Sequence, residues 1–205
     1  MSRSIKAMVA LAAAVLLALG FSISGVSADT YNGTNRADVI DTANSVDTAD
    51  TVNARGGNDT VRTYAGNDTV NAGRGNDDVV AGLGDDTVDG FFGADRLELR
   101  DGNDTASGGE GSDVLIGQAG GDTLRGNFGG DTLNAGGGAD TLVPGPSRDL
   151  VKAGGGSDVV NLTQDASRDE IQCGDGDDTV NYNVAVKPAG DSLSGCENVN
   201  LAPPV

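Results

Sequence analysis

From residue 50 to residue 161 the chain sets polar and apolar positions on a fixed beat. An aspartate recurs every nine residues, at Asp50, Asp59, Asp68, Asp77, Asp86, Asp95, Asp104, Asp113, Asp122, Asp131, Asp140, Asp149 and Asp158. Two residues after each stands an apolar side chain: Val52, Val61, Val70, Val79, Val88, Leu97, Ala106, Leu115, Leu124, Leu133, Leu142, Val151 and Val160. Only Ala106 in this column is small. Two columns held in register for thirteen cycles mark a repeat architecture. The spacing alone permits a helix, since eighteen residues make about five turns of 3.6. The composition does not. Most cycles hold two or three glycines, each costing about 1 kcal/mol in a helix relative to alanine, and Asp-Thr-Val favours caps and strands. Each cycle therefore reads as a Gly-rich turn followed by a short strand.

The N-terminus follows a different pattern. Arg3 and Lys6 precede an apolar run from Ala7 to Leu19, and Val26-Ser27-Ala28 supplies small residues for a signal peptidase. Residues 1–28 read as a secretory signal peptide, with cleavage expected between Ala28 and Asp29. The run is thirteen residues long, short of the roughly 20 needed to span a bilayer. The mature chain would have no membrane span and a net charge of −20, because the leader holds two of the 13 basic and none of the 31 acidic residues. That balance argues against a nucleic-acid partner, which needs a basic surface. It leaves either a disordered acidic chain or carboxylates that meet a cation.

Absent residues narrow the chemistry. With no Trp and aromatics at 3%, the core must be thin. With no His, the usual general base, the common zinc ligand and the Ser-His and Cys-His arrangements are missing, so an enzyme is not expected. Cys173 and Cys196 are the only cysteines. In an exported chain they suggest one disulfide, closing a C-terminal loop and worth about 3 kcal/mol.

The segment Gly108-Gly109-Glu110-Gly111-Ser112-Asp113-Val114-Leu115-Ile116 fits the nonapeptide G-G-x-G-x-D-x-U-x, where U is a large apolar residue. Residues 72–80, 81–89, 135–143 and 153–161 match with alanine first, and 173–181 matches in all but its first position, Cys173. The chain thus resembles the RTX (hemolysin-type) calcium-binding repeat family. The resemblance implies an all-β fold, a parallel β-roll (a right-handed β-solenoid) in which two nonapeptides make one coil. Aspartates 18 residues apart would then stack along two edges, Asp59, Asp77, Asp95, Asp113, Asp131 and Asp149 on one and Asp50 through Asp158 on the other.

The implied cofactor is Ca²⁺, several ions per chain. The implied metal residues are Asp59, Asp68, Asp77, Asp86, Asp95, Asp104, Asp113, Asp122, Asp131, Asp140, Asp158 and Asp178. With them go the turn glycines Gly73, Gly75, Gly82, Gly84, Gly109, Gly111, Gly136, Gly138, Gly154 and Gly156, whose freedom at positive φ would aim carbonyls at the ion. Carboxylates stacked at about the 4.8 Å strand spacing repel. Ca²⁺, which accepts about six to eight oxygens, reverses that repulsion, while Mg²⁺ prefers a tight octahedron. Folding and calcium binding are expected to be coupled, because so thin a core offsets little of the entropy of ordering. Asp50, whose turn lacks glycine, and Asp149, preceded by Pro144-Gly145-Pro146-Ser147, are expected to be degenerate.

The chain divides into the signal peptide 1–28, an N-terminal cap 29–49 with an irregular repeat, the regular roll 50–161, an irregular disulfide-closed cap 162–200 and a tail 201–205. The slips that bound the roll are a step of twelve from Asp38 to Asp50 and of eleven from Asp158 to Asp169. The expected function is a secreted, extracellular calcium-binding protein with a structural, surface or adhesion role and a partner not identified. An ice-binding β-solenoid is the alternative. Such solenoids carry Thr and Asn at the third and fifth positions, and here the fifth has Asn58, Asn67, Asn76 and Asn103 but the third has no threonine. A polysaccharide-acting β-solenoid enzyme is the remaining alternative, though its carboxylates would have to serve the calcium frame as well. The Thr after most aspartates (Thr51, Thr60, Thr69, Thr87, Thr105, Thr123, Thr132, Thr141) reads as outward β-branched strand residues. Phe91 and Phe92 fall at an outward turn, either as local packing cover or as a partner-binding patch.

Overall fold

The computed structural model describes residues 4–6, 28–42, 49–163, 167–183 and 190–201. Strands from alternate nonapeptides pair in parallel, so neighbours in the regular region lie 18 residues apart: Thr105 aligns with Thr87 on one side and with Thr123 on the other. The first sheet contains Thr60–Ala65, Asp78–Leu83, Arg96–Asp101, Val114–Ala119, Thr132–Gly137, Leu150–Gly155 and Glu170–Asp175. The second contains Thr69–Arg74, Thr87–Phe92, Thr105–Glu110, Thr123–Phe128, Thr141–Val143, Val159–Leu162 and Thr179–Tyr182. The described strands form these two sheets with no helix among them, which is the β-roll the family resemblance implies.

With the aspartate as position six, the strand runs from position seven to position three and the turn holds four to six. Pleating sends positions eight and one inward. Position eight is the expected apolar column, and Val52, Val61, Leu97, Leu115, Leu124 and Leu133 are fully buried. Position one, which the nonapeptide pattern gives as glycine, is a second inward column. It holds Ala54, Ala72, Ala81, Leu99, Ala135, Ala153 and Cys173, all fully buried. Leu99, the one leucine of that column, lies in the strand just before the one carrying Ala106, the one small residue of the other column, and the two strands touch.

Ser4–Lys6 pairs with Val39–Asp41 at the edge of the first sheet. These residues fall within the expected leader, whose apolar run lies outside the described residues. Cleavage after Ala28 would leave Val39–Asp41 as that edge. At the other end the sheets finish with Ser192–Ser194 and Asn198–Leu201, and a Cys173–Cys196 disulfide fastens the final segment to the coil beneath it. No helix among the described residues is long and apolar enough to cross a membrane.

Candidate metal centre

Each turn is built around one backbone requirement. Position four is glycine in every described regular coil except for Ser147, and φ there is always positive, for example +151° at Gly111 and +101° at Ser147. A side chain on Gly111 would run into the carbonyl oxygen of Gly93, its counterpart one coil below. Position two is also left-handed, but less strictly glycine. Gly109 has φ +112°, while Arg55, Tyr64, Phe91, Arg100, Gln118 and Asn127 take the same place at φ between 70° and 87°. All ten glycines expected at the site prove to be left-handed. That expectation omitted Gly57, Gly66, Gly93, Gly102, Gly120, Gly129 and Gly176, which share position four and its conformation. A glycine two residues before each aspartate was the available signal.

The turns bring the aspartates into the two columns expected. In the first, the N–H of Asp59 donates to Asp77 Oδ1 at 2.7 Å, Asp77 to Asp95 at 2.8 Å, Asp95 to Asp113 at 2.8 Å and Asp113 to Asp131 at 2.8 Å. The second runs in the same way through Asp50, Asp68, Asp86, Asp104, Asp122, Asp140, Asp158 and Asp178. The slips do not interrupt either column. Asp38 reaches Asp59 across 21 residues, Asp149 reaches Asp169 across 20 and Asp169 reaches Asp191 across 22. The second column closes when the Asp178 N–H donates to Glu197 Oε2 at 3.0 Å. Asp50 and Asp149 sit in these columns as deeply buried as the rest.

In most of these carboxylates one oxygen is thus satisfied and the other is not. Oδ2 of Asp50, Asp59, Asp68, Asp77, Asp86, Asp95, Asp104, Asp113, Asp122, Asp131, Asp140, Asp158 and Asp178 is buried with no hydrogen-bond partner. Burial is the main reason that many of these acids are raised above the ordinary carboxylate range. It pushes Asp86 and Asp95 up to about 7, and Asp59, Asp68, Asp104, Asp122, Asp131, Asp140 and Asp158 up to about 6. The donated backbone N–H opposes the shift at each site, and at most of them a neighbouring carboxylate adds to it. Asp50, Asp77 and Asp113 are raised for the same leading reason.

Rows of buried carboxylates, most with an unpartnered oxygen, suit a hard cation that accepts anionic oxygen ligands. Among the described residues no three acidic or other ligating side chains converge, so an ion in these turns would have to take backbone oxygens too. The turns offer them: the carbonyls of Phe91 and Gly93 lie against the Cα atoms of Gly109 and Gly111 one coil on. Outside this frame, the fifth-position residues form a ladder of their own, in which Asn58 Oδ1 accepts from the Asn76 N–H and Asn76 Oδ1 from the Ala94 N–H, at 3.0 and 3.1 Å. The asparagines at that position therefore cap backbone donors of the turn.

A family model described as the RTX calcium-binding nonapeptide repeat matches residues 44–79, 73–106 and 107–142. No curated protein and no solved structure matches the chain. The aspartate columns extend past the matched residues in both directions, to Asp29 and to Glu197.

Proposed function

Because the chain carries RTX calcium-binding nonapeptide repeats across residues 44–142, we propose that it is a secreted protein whose β-roll is assembled by calcium ions held in both columns of turns. The observation that carries this reading is the orphaned Oδ2 of buried aspartates in both columns, among them Asp59, Asp77, Asp95 and Asp113 in one and Asp68, Asp86, Asp104 and Asp122 in the other. Asp59, Asp77, Asp95, Asp113 and Asp131 would hold ions along one edge, and Asp68, Asp86, Asp104, Asp122, Asp140, Asp158 and Asp178 along the other. Carbonyls of positions two and four would complete the oxygen set. The bound ion supplies positive charge between stacked carboxylates. The chain's own part is to keep those carboxylates ionised, buried and correctly aimed, with Oδ1 pinned by a backbone N–H and the turn backbone held open by glycine.

The leader pattern and the acidic composition support an extracellular site of action, and the stiff, repetitive frame supports a structural, surface or adhesion role rather than catalysis. The test is calcium titration calorimetry alongside circular dichroism. Binding of several ions together with a gain in β-signal is expected, and equal β content in chelator and in millimolar calcium would overturn the coupling.

A further inference from the structure

We propose that the outer face of the second sheet binds an uncharged polysaccharide, through a ladder of threonine hydroxyls at the starts of its strands and phenylalanine platforms at their ends. The inference rests on the surface role proposed above only for where such a ligand is met, not for the face itself.

Two independent features converge on this face. The first is the distribution of threonine. In the second sheet, Thr30, Thr51, Thr69, Thr87, Thr105, Thr123 and Thr141 are aligned on seven successive strands. The equivalent column of the first sheet reads Val39, Thr60, Asp78, Arg96, Val114, Thr132 and Leu150. A preference for β-branched residues in strands would act on both sheets alike, so it does not account for threonine on all seven of these strands in one sheet and only two, Thr60 and Thr132, in the other.

The second feature is aromatic. Phe91, Phe92 and Phe128 are 41%, 44% and 65% exposed, and all lie on this same sheet. In a chain with only 3% aromatic residues, three are spent on the surface instead of the core. Phe91 also holds a left-handed backbone, φ 70°, a conformation that costs a bulky residue about 1–2 kcal/mol. Phe92 and Phe128 align with Glu110 between them, which sets them two strand spacings apart, about 9–10 Å. Arg74 lies over the Phe92 ring at 5.5 Å and fixes its orientation. Beside Phe128 a shallow hollow is floored by Gly111 and Gly129.

The charge on the face selects the ligand. Although the chain is strongly acidic, this region sets Arg74 and Arg125 against Asp89 and Glu110 and is otherwise neutral. Apolar rings at one end of the strands, a line of hydroxyls at the other and no net charge complement a ribbon that has apolar C–H faces and hydroxyl edges. A neutral glycan has those properties; a nucleic acid or an acidic glycan does not.

The test is affinity electrophoresis of the calcium-loaded protein through gels containing soluble neutral β-glucans, with pull-down on insoluble cellulose and chitin, and circular dichroism to confirm the fold. Retardation is expected. It should weaken about tenfold or more in the double variant Phe92→Ser/Phe128→Ser, with the β-signal and calcium stoichiometry unchanged, and also in Thr105→Glu. A folded, calcium-loaded protein that no neutral glycan retards would overturn the inference. So would retention unaffected by the double variant, or thermal hysteresis in an ice-growth assay without glycan binding, which would assign the face to ordered water. Each of these failures would leave calcium-dependent folding intact and so be distinct from a failure of the calcium reading.

Discussion

The backbone N–H of Asp95 donates to Oδ1 of Asp113 at 2.8 Å, while Oδ2 of the same Asp113 carboxylate, equally buried, meets no donor. Half of the side chain holds two coils together, and in the proposed function the other half would meet a cation. Asp113→Asn preserves the first role and abolishes the charge needed for the second. In calcium it should lower stability by about 1–3 kcal/mol and reduce the ion stoichiometry, with little loss in chelator. Paired thermal melts and calorimetry check this; equal losses in both conditions would mean that the carboxylate is purely structural.

Protons should partly replace calcium. Asp86 and Asp95 are raised to about 7 and Asp122, like several others in the columns, to about 6 in the roll, against 3.8 for a free aspartate side chain, so the metal-free roll binds more protons than the unfolded chain. Their contribution is fully present below about pH 4 and is lost as pH rises through 6 and 7. In chelator, β content and melting temperature should therefore increase on acidification from pH 7 to pH 4. In calcium the ions compete with those protons, so apparent affinity should rise with pH across the same window, with proton release measurable in buffers of different ionisation enthalpy.

The glycines are not equivalent. Gly111→Ala places a methyl group against the Gly93 carbonyl at a φ of +151° and should cost about 3 kcal/mol or more. Gly155→Ala meets nothing within 4 Å and should be neutral or stabilise by about 0.4–1 kcal/mol. Denaturant midpoints in saturating calcium separate the two.

The period of nine is legible in sequence because backbone turn, ligand and core column all share it. What the period hides is anything that differs between the sheets, since alternate repeats belong to opposite faces. The threonines Thr51 and Thr60 look alike along the chain and lie on different sheets. Paired glycines at positions one and two are also a poor guide to turn geometry. Thr63-Tyr64-Ala65 precedes a well-formed turn: Thr63 is buried and its Oγ1 donates to the Ala81 carbonyl at 2.9 Å, with Asp68 in its column. The inward path of position one was not legible because residues from glycine to leucine occupy it.

Leu99 and Ala106, both fully buried, lie on touching strands of opposite sheets. Leu99→Ala should cost about 2–5 kcal/mol, and adding Ala106→Leu should recover part of it, giving a favourable coupling in a double-mutant cycle. Strict additivity would show that the two sites pack independently.

Reduction of the Cys173–Cys196 disulfide opens a loop of sequence separation 23, at a loop-entropy cost of about 3 kcal/mol. The loss should be local. Hydrogen exchange should accelerate in Ser192–Ser194 and Asn198–Leu201, while Val114–Ala119 stays protected.

The uneven steps between aspartates carry a consequence for how such a chain can change. Carboxylates 18, 20, 21 and 22 residues apart make the same bond to the coil below. The molecule therefore counts rungs, not residues. Extra sequence admitted between two rungs shifts no pairing beyond it, and a whole coil added or deleted returns every later side chain to its own face. Length and loop content become independent variables, one set by the number of rungs and the other by what hangs between them.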